Sequence, residues 1–225
     1  SLVALPQVQL ERPIPSTTNP DCLSLADLIV IAVPLSETAQ VVEMIEKYAS
    51  LNSVILFSGK GLFSHPEKGG IFLPEWIDTN FDNFYSYGLI SGPSFADEVI
   101  SNKPTAVMIA SQSITLSTEI ANYFEASYLR CYIGDDITGV AVGGAVKNII
   151  AIAAGIATGL ELGDNARAAL VSRGLAEITR LAVKIGGRPQ TLNGLAGMGD
   201  LVLTCSSPHS RNMAFGMAIA KNQTP

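Results

Sequence analysis

The chain has 225 residues, of which 48% are hydrophobic and 15% are charged, and its formal net charge at pH 7 is −6. This apolar content is enough for a buried core in one large domain or two modest ones, and it excludes intrinsic disorder for most of the chain. An acidic chain with only 14 Lys and Arg residues is poorly suited to bind nucleic acid or an anionic membrane surface, so we expect neither as a partner.

Apolar runs in the first half of the sequence predict the strands of a sheet. Continuous runs of this kind cover residues 28–33, 53–58, 86–91, 105–110 and 128–133. Segments with helical spacing separate several of them, including one that begins at Ser36 and one over residues 113–124. Continuous apolar strands that alternate with helices predict an α/β fold with a parallel sheet covered on both faces.

The second half of the chain has a helical pattern. From residue 135 to residue 185 the sequence is rich in Ala, Gly, Ile and Leu, and a Gly-Asp pair at 163–164 divides this region into two helices. A Gly-Gly-x-Pro sequence at 186–189 ends the second helix, and a third is expected over residues 210–220. We place a domain boundary near residue 134, which gives a sheet domain over 1–133 and an all-helical domain over 134–225.

The most hydrophobic stretch, residues 137–160, is interrupted by Lys147 and Asn148. The uncharged run after them is shorter than the roughly 20 residues of a membrane span, so we predict a buried helix and no span. No signal peptide is predicted at the start of the sequence. Three widely spaced cysteines and two histidines form no disulfide framework and no metal-ligand spacing, which indicates a reducing cytoplasm and no metal site.

Small and polar residues follow each of the first three predicted strands. Lys60 lies just past the second strand, and Gly92 and Ser94 follow the third, ahead of a short helix. Ligands of doubly wound sheets bind at the carboxyl ends of the strands, and a helix N-terminus favours negative charge there. The alternative interpretation is that Gly-Pro-Ser at 92–94 is simply a turn.

Lys147 is the single residue that the sequence most strongly indicates as functional. It has no charged neighbour between Val140 and Leu160, and Gly143 and Gly144 lie one turn earlier on the same face. A lysine on so apolar a helix is rarely buried without a partner, and a desolvated lysine can exchange a proton near neutral pH. Asn148 beside it can hydrogen-bond a substrate hydroxyl. The alternative is a lysine that extends to solvent from a helix whose glycines serve packing.

Two further segments contain candidate ligand-binding residues. The sequence GLAGMGDLVLTC is predicted to be a loop, in which Asp200 is either a helix cap or a pocket carboxylate. In SSPHSRN, Ser210, Arg211 and Asn212 open the third helix, and a hydroxyl, a guanidinium and an amide at a helix N-terminus suit a phosphate or a carboxylate. A capping turn with a solvated arginine is the alternative.

Five segments resemble one family. They are, in order, LIVIAVP, SGKGL, LISGPSFADEV, GGAVKNIIAIAAGIATGLELGDNARAALVSRGLAEITRL and GLAGMGDLVLTCSSPHSRNMAFG, and they resemble the bacterial NAD(P)-dependent sn-glycerol-3-phosphate dehydrogenases over residues 25–220. The resemblance implies a Rossmann-type, doubly wound dinucleotide-binding domain followed by an all-helical substrate domain. It implies reversible reduction of dihydroxyacetone phosphate to sn-glycerol 3-phosphate with NAD or NADP, which supplies glycerophospholipid synthesis. We expect a small phosphorylated substrate and a homodimer.

The resemblance also implies roles for individual residues. Lys147 becomes the catalytic proton donor and acceptor at the substrate, and Lys60 contacts both substrate and cofactor. The further substrate-binding positions are Gly92, Ser94, Asp200, Ser210, Arg211 and Asn212, and the further cofactor contacts are Ala96 and Arg211.

The sequence departs from this family at both ends. The family begins with a strand and a G-x-G-x-x-G loop that holds the cofactor pyrophosphate, and no such loop precedes residue 28 here. The family also continues beyond residue 220. We therefore expect a partial chain whose 225 residues alone bind a dinucleotide weakly or not at all, but still hold a small phosphate.

Two other functions remain open from the sequence. One is a related lysine-dependent dehydrogenase that acts on a hydroxy acid or a sugar-acid phosphate, because such enzymes also use a helix lysine with a nearby asparagine. The other is a non-catalytic fragment that binds a partner through an exposed sheet edge.

Overall fold

The computed structural model describes residues 14–82 and 84–222. Strands β1 to β7 cover Leu28–Ile31, Val54–Phe57, Phe63–His65, Gly69–Ile71, Tyr87–Ser91, Thr105–Ser111 and Leu129–Gly134. Helices α1 to α9 cover Leu35–Tyr48, Leu73–Asn80, Ala96–Ile100, Ile114–Asn122, Ile137–Gly159, Asp164–Lys184, Pro189–Leu192, Asp200–Ser206 and Arg211–Ala220. A 3₁₀ helix (Pro20–Leu25) precedes β1, and a π-helical segment (Leu195–Gly199) precedes α8.

Five strands form one sheet in the order β1-β2-β5-β6-β7. β1, β2 and β5 are parallel, β6 is antiparallel to β5, and β7 is parallel to β6. The predicted α/β class is confirmed, but the sheet is mixed rather than wholly parallel. The connection from β5 to β6 contains only the five-residue helix α3 and short turns, so the chain turns back at the same edge of the sheet instead of crossing to the other.

The central strand β2 is buried on both faces, as its continuous apolar sequence requires. Ile55 and Phe57 belong to the larger core between the sheet, α1 and α2. Leu56 points to the opposite face, where it packs with Ile109 and Ile120 under α4. Burying side chains of this size stabilises the fold by about 1.5–3 kcal/mol each.

The segment between β2 and β5 contains structure that the sequence pattern did not predict. β3 and β4 form an antiparallel hairpin, and α2 follows it. The ring of Phe63 stacks on that of Trp76 with a centroid distance of 4.3 Å, which fastens the hairpin to α2. Strands of three residues are too short to show a hydrophobic period, which is why the sequence did not predict them.

Helix α5 is the central element of the second half, where it packs against α6, α8 and α9. By length and composition alone it could cross a membrane, yet 56% of its most apolar stretch is buried within the protein. Glycines allow the closest approach: a Cβ on Gly155 would lie 2.1 Å from the Met213 carbonyl oxygen, and one on Gly216 2.1 Å from that of Ile152. The start of α9 is thereby held against α5.

The domain boundary that the sequence predicts near residue 134 stays a prediction; at this place β7 ends at Gly134 and α5 begins three residues later, at Ile137. Asp136 joins this connection to the turn between α6 and α7. One carboxylate oxygen accepts the Gly139 N–H at 2.8 Å and caps α5, and the other accepts the Arg188 N–H at 2.8 Å. The first turn of α5 is therefore tied to the turn that precedes α7.

Candidate active site

The carboxyl ends of β1, β2 and β5 meet the first turns of α5. Since these three strands are parallel, the residues that follow them lie at one edge of the sheet. Gly144 of α5 closes this edge: a Cβ there would lie 3.2 Å from Cγ of Lys60 and 3.4 Å from Oγ of Ser91. The absence of a side chain at Gly144 gives the stem of Lys60 room to extend past the helix.

Lys60 and Lys147 bind the same carboxylate. Asp200 Oδ1 accepts a hydrogen bond from Nζ of Lys147 at 2.5 Å, and its Oδ2 accepts one from Nζ of Lys60 at 2.6 Å. Asp200 is 2% exposed and Lys147 is 8% exposed. Two ammonium groups against one carboxylate leave this buried cluster with a net positive charge, which suits an anionic ligand.

The sequence left Asp200 open between a helix cap and a pocket carboxylate, and in the structure its buried side chain binds two lysines rather than capping a helix. It is the first residue of α8, but its side chain binds the two lysines and makes no cap hydrogen bond with its own helix. The predicted loop over residues 194–205 is wrong, because this segment is the π-helical turn followed by α8.

Close backbone contacts fix the position of the π-helical segment. A Cβ on Gly143 would lie 2.6 Å from the Ala196 carbonyl oxygen, so this glycine lets the segment rest directly on α5. A Cβ on Gly197 would lie 2.0 Å from the carbonyl oxygen of Leu192. Glycine is required at both places because the opposing atoms belong to the backbone and cannot move aside.

Thr204 is a site residue that the sequence did not reveal. Its hydroxyl accepts a hydrogen bond from Nζ of Lys147 at 3.1 Å and donates one to the backbone carbonyl of Asp200 at 2.6 Å. Thr204 lies four residues after Asp200, hence on the same face of α8. The helical spacing would have indicated it, had the segment not been interpreted as a loop.

The environment of Lys147 changes its proton affinity. Burial lowers the pKa of Lys147 from 10.5 to about 8, the positive charge of Lys60 acts in the same direction, and Asp200 acts against both. A lysine with this pKa holds its proton at neutral pH and can release it to a developing alkoxide. In contrast, burial raises the pKa of the adjacent Cys205 to about 11, so that thiol stays protonated.

The start of α9 lies beside the same stretch of α5. Nδ2 of Asn212 donates to Oδ1 of Asn148 at 2.8 Å, which links the neighbour of Lys147 to the helix opening. Ser210 is buried, and its hydroxyl caps α9 by accepting the Met213 N–H at 3.3 Å. Arg211 is exposed and makes no ion pair with another described residue, so its guanidinium is available to an anion.

The segment after β5 borders a groove of about 460 Å³ that also contains Lys60. Ser94 and Ala96 line this groove. Gly92 has a φ of 141°, and a Cβ on it would lie 3.1 Å from Cα of Val107, so glycine permits the sharp turn away from the sheet. Oγ of Ser94 donates to the carbonyl of Gly92 at 3.2 Å, which tightens that turn.

Two family models match the chain. The model described as the N-terminus of NAD-dependent glycerol-3-phosphate dehydrogenase matches residues 3–117, and the model of its C-terminus matches residues 136–225. The match to the N-terminal model precedes the match to the C-terminal model in the chain.

Individual relatives agree with the family models. The chain is 43% identical to glycerol-3-phosphate dehydrogenase (NAD(P)+) of Halorhodospira halophila, covering 95% of this chain and 66% of the relative. It is 42% identical to the protein of that name from Bacillus subtilis, and the match covers 96% of this chain and 63% of the relative. The crystal structure of glycerol-3-phosphate dehydrogenase from Coxiella burnetii has a TM-score of 0.80 at 42% identity, covering 87% of this chain and 58% of that one. The chain thus spans just under two thirds of the length of these curated relatives.

Proposed function

This chain belongs to the NAD-dependent glycerol-3-phosphate dehydrogenase family, and we propose that the protein interconverts dihydroxyacetone phosphate and sn-glycerol 3-phosphate by hydride transfer with NAD(P)H. The observation that carries this proposal is the buried Lys147, held by Asp200 beside a second lysine at the carboxyl ends of the strands. This arrangement combines a group that can exchange a proton with positive charge for an anionic substrate.

Lys147 would supply the proton of the reaction. Reduction of a ketone adds a hydride to carbon and a proton to oxygen, and the nicotinamide supplies the hydride when it is bound. The Lys147 ammonium donates its proton as charge develops on the oxygen, and its amine form takes that proton back in the reverse reaction. Asp200 and Thr204 hold Nζ in place, and Lys60 stabilises the developing negative charge.

The substrate phosphate would be held at the other side of the site. Arg211 offers an exposed guanidinium in the first turn of the ten-residue helix α9, where the helix dipole also favours an anion. The Asn148–Asn212 hydrogen bond holds that turn beside Lys147. Gly92 and Ser94 are further proposed substrate contacts. The hydroxyl of Ser210 keeps its capping bond, so we assign its role to positioning the turn.

The described residues fit the nicotinamide end of a dinucleotide. The groove beside Lys60 has mainly apolar walls with serine hydroxyls among them, as expected for a neutral aromatic ring with a polar edge. Lys60, Ala96 and Arg211 are the proposed cofactor contacts. The pyrophosphate loop of the family has no counterpart in these 225 residues, so weak dinucleotide binding by the isolated chain remains our prediction.

We also infer a cytoplasmic homodimer that feeds glycerophospholipid synthesis. The compartment follows from the three unpaired cysteines, which suit a reducing environment, and the dimer and the metabolic role follow from the family resemblance. Sedimentation of the full-length protein tests the dimer, and a monomer at all concentrations would contradict it.

The reaction is tested with the purified full-length protein and alternative substrates. Dihydroxyacetone phosphate should be reduced with NADH or NADPH, whereas dihydroxyacetone and a 2-oxo acid should react far more slowly. Faster reduction of the oxo acid or of a sugar-acid phosphate would favour the related class of dehydrogenase. A full-length protein that reduces none of them would contradict the proposed activity.

A further inference from the structure

Ser91 has a buried hydroxyl that no described residue satisfies. The residue is 4% exposed, and its Oγ has no hydrogen-bond partner within the described part of the chain. Other buried serines are bonded: Ser53 Oγ donates to the Ala26 carbonyl at 2.6 Å, and Ser117 Oγ donates to the Gly134 carbonyl at 2.7 Å. Buried polar groups without a partner are disfavoured, so this hydroxyl calls for a functional explanation.

Ser91 lies between two parts of the site. It is the last residue of β5, and it lines the groove that also contains Lys60, Ser94 and Ala96. It also lines the narrow pocket beside Gly144 and the stem of Lys60. A ligand in this groove would therefore lie next to both Ser91 and Lys60.

The groove around Ser91 suits a flat, neutral ring with a polar edge. Most of its wall is apolar, contributed by Ile90, Val99, Ile100, Val107 and Leu129. Lys60 is the one cation that lines it among the described residues, and that ammonium is bound to Asp200. A phosphate needs several cations or amides, whereas a primary amide needs one group that can both donate and accept a hydrogen bond, as a hydroxyl can.

We propose that the Ser91 hydroxyl binds the carboxamide of the nicotinamide ring and thereby orients the ring towards Lys147. This inference rests on the proposed function. The hydroxyl is covered in the present side-chain conformation, so binding requires one change of the χ1 rotamer of Ser91, which is an ordinary event at binding sites.

The test compares two ligands that differ in the nicotinamide group. Calorimetric titration of the full-length protein gives the Kd of NADH and of ADP-ribose, which lacks the ring. Ser91→Ala should raise the Kd of NADH about 3- to 10-fold, the effect of one neutral hydrogen bond, and leave the Kd of ADP-ribose unchanged. Ser91→Cys, which keeps the shape with a weaker donor, should give an intermediate Kd for NADH.

Thermal unfolding without ligand separates binding from a structural role. Ser91→Ala should unfold at the wild-type temperature or above it, because it removes a hydroxyl that lacks a protein partner. The matched control is Ser117→Ala, which breaks the bond to Gly134 and should lower the unfolding temperature without changing either Kd. An unchanged Kd of NADH in Ser91→Ala, or an equal loss for NADH and ADP-ribose, would overturn the proposal. Failure of the wild-type protein to bind NADH or NADPH would overturn the proposed function and this inference with it.

Discussion

Lys147 and Asp200 are 53 positions apart in the sequence, and their side chains meet at 2.5 Å in the interior. The contact joins α5 to α8, and the second oxygen of the same carboxylate binds Lys60 from the sheet edge. One buried carboxylate therefore connects the sheet to two helices of the second half. A change at any of these three side chains should alter the charge balance of the other two.

The first prediction concerns Lys147 as the proton donor. Lys147→Ala in the full-length protein should lower kcat for ketone reduction about 10²- to 10⁴-fold, because the developing alkoxide then has no general acid. Lys147→Arg should lower kcat as well, since a guanidinium does not release a proton near neutral pH. Steady-state kinetics with dihydroxyacetone phosphate measure both effects.

A control at another lysine supports this assignment. Lys184 lies in the exposed last turn of α6, and Lys184→Ala should leave kcat unchanged. The fold of Lys147→Ala should persist, because Asp200 keeps its bond to Lys60, and thermal unfolding checks this. If Lys147→Ala keeps more than half of the wild-type kcat, the residue is not the proton donor.

The second prediction concerns the pH dependence of the two directions. The pKa of Lys147 is lowered to about 8, mainly by burial, so the protonated form falls away as the pH rises through that value. Ketone reduction, which needs the ammonium, should decline above about pH 8, and alcohol oxidation, which needs the amine, should increase over the same range. Profiles of kcat against pH in both directions give this apparent pKa.

Two substitutions should move that pH profile in opposite directions. Asp200 stabilises the ammonium, so Asp200→Asn should lower the pKa of Lys147 further and shift the decline in reduction to lower pH. Lys60 repels the ammonium, so Lys60→Met should raise that pKa and shift the decline to higher pH. Shifts in the same direction would show that another group controls the profile. The control is Glu177→Gln, on the exposed face of α6, which should leave the pH profile of reduction unchanged.

The third prediction concerns Arg211 and the substrate phosphate. Arg211→Ala should raise the KM of dihydroxyacetone phosphate much more than that of dihydroxyacetone, by a difference of about 1.5–3 kcal/mol, because only the first ligand carries the charge. Arg180→Ala, at an exposed arginine paired with Glu177, should change neither KM. Equal losses on both substrates would mean that Arg211 only supports the structure of α9.

The fourth prediction concerns the packing that positions Asp200. Gly143→Ala would place a Cβ 2.6 Å from the Ala196 carbonyl oxygen, so the π-helical segment must move away from α5. We expect a loss of about 1–3 kcal/mol in the free energy of unfolding and a reduced kcat, because Asp200 moves with that segment.

The matched control is Gly174→Ala on α6. A Cβ there meets side-chain atoms of Ile150 at 2.8–2.9 Å rather than backbone, and it lies outside the lysine cluster. This variant should alter stability without lowering kcat at saturating substrate. If both variants lose stability but neither loses kcat, Gly143 does not position the site. Denaturant unfolding and steady-state kinetics on the same preparations provide both values.

The sequence predicts those features that depend on local pattern. Continuous apolar runs indicated the strands, and the isolated Lys147 on an apolar helix indicated a buried group. The reversal at β6 was not predictable in this way, because parallel and antiparallel strands can have the same apolar run. The partner of Lys147 was not predictable either, because the flanking residues of Asp200 are compatible with both a cap and a pocket carboxylate. Thr204 became visible only when the segment proved to be helical.

The π-helical segment before Asp200 makes the length of this part of the chain as important as its side chains. Removing one residue from the π-helical segment Leu195–Gly199 would rotate everything after it by roughly a quarter turn around the helix axis. The carboxylate of Asp200 would then turn away from both lysines, although the composition of the segment would hardly change. We therefore expect evolution to vary side chains such as Met198 while it keeps the number of residues between Leu192 and Asp200 constant.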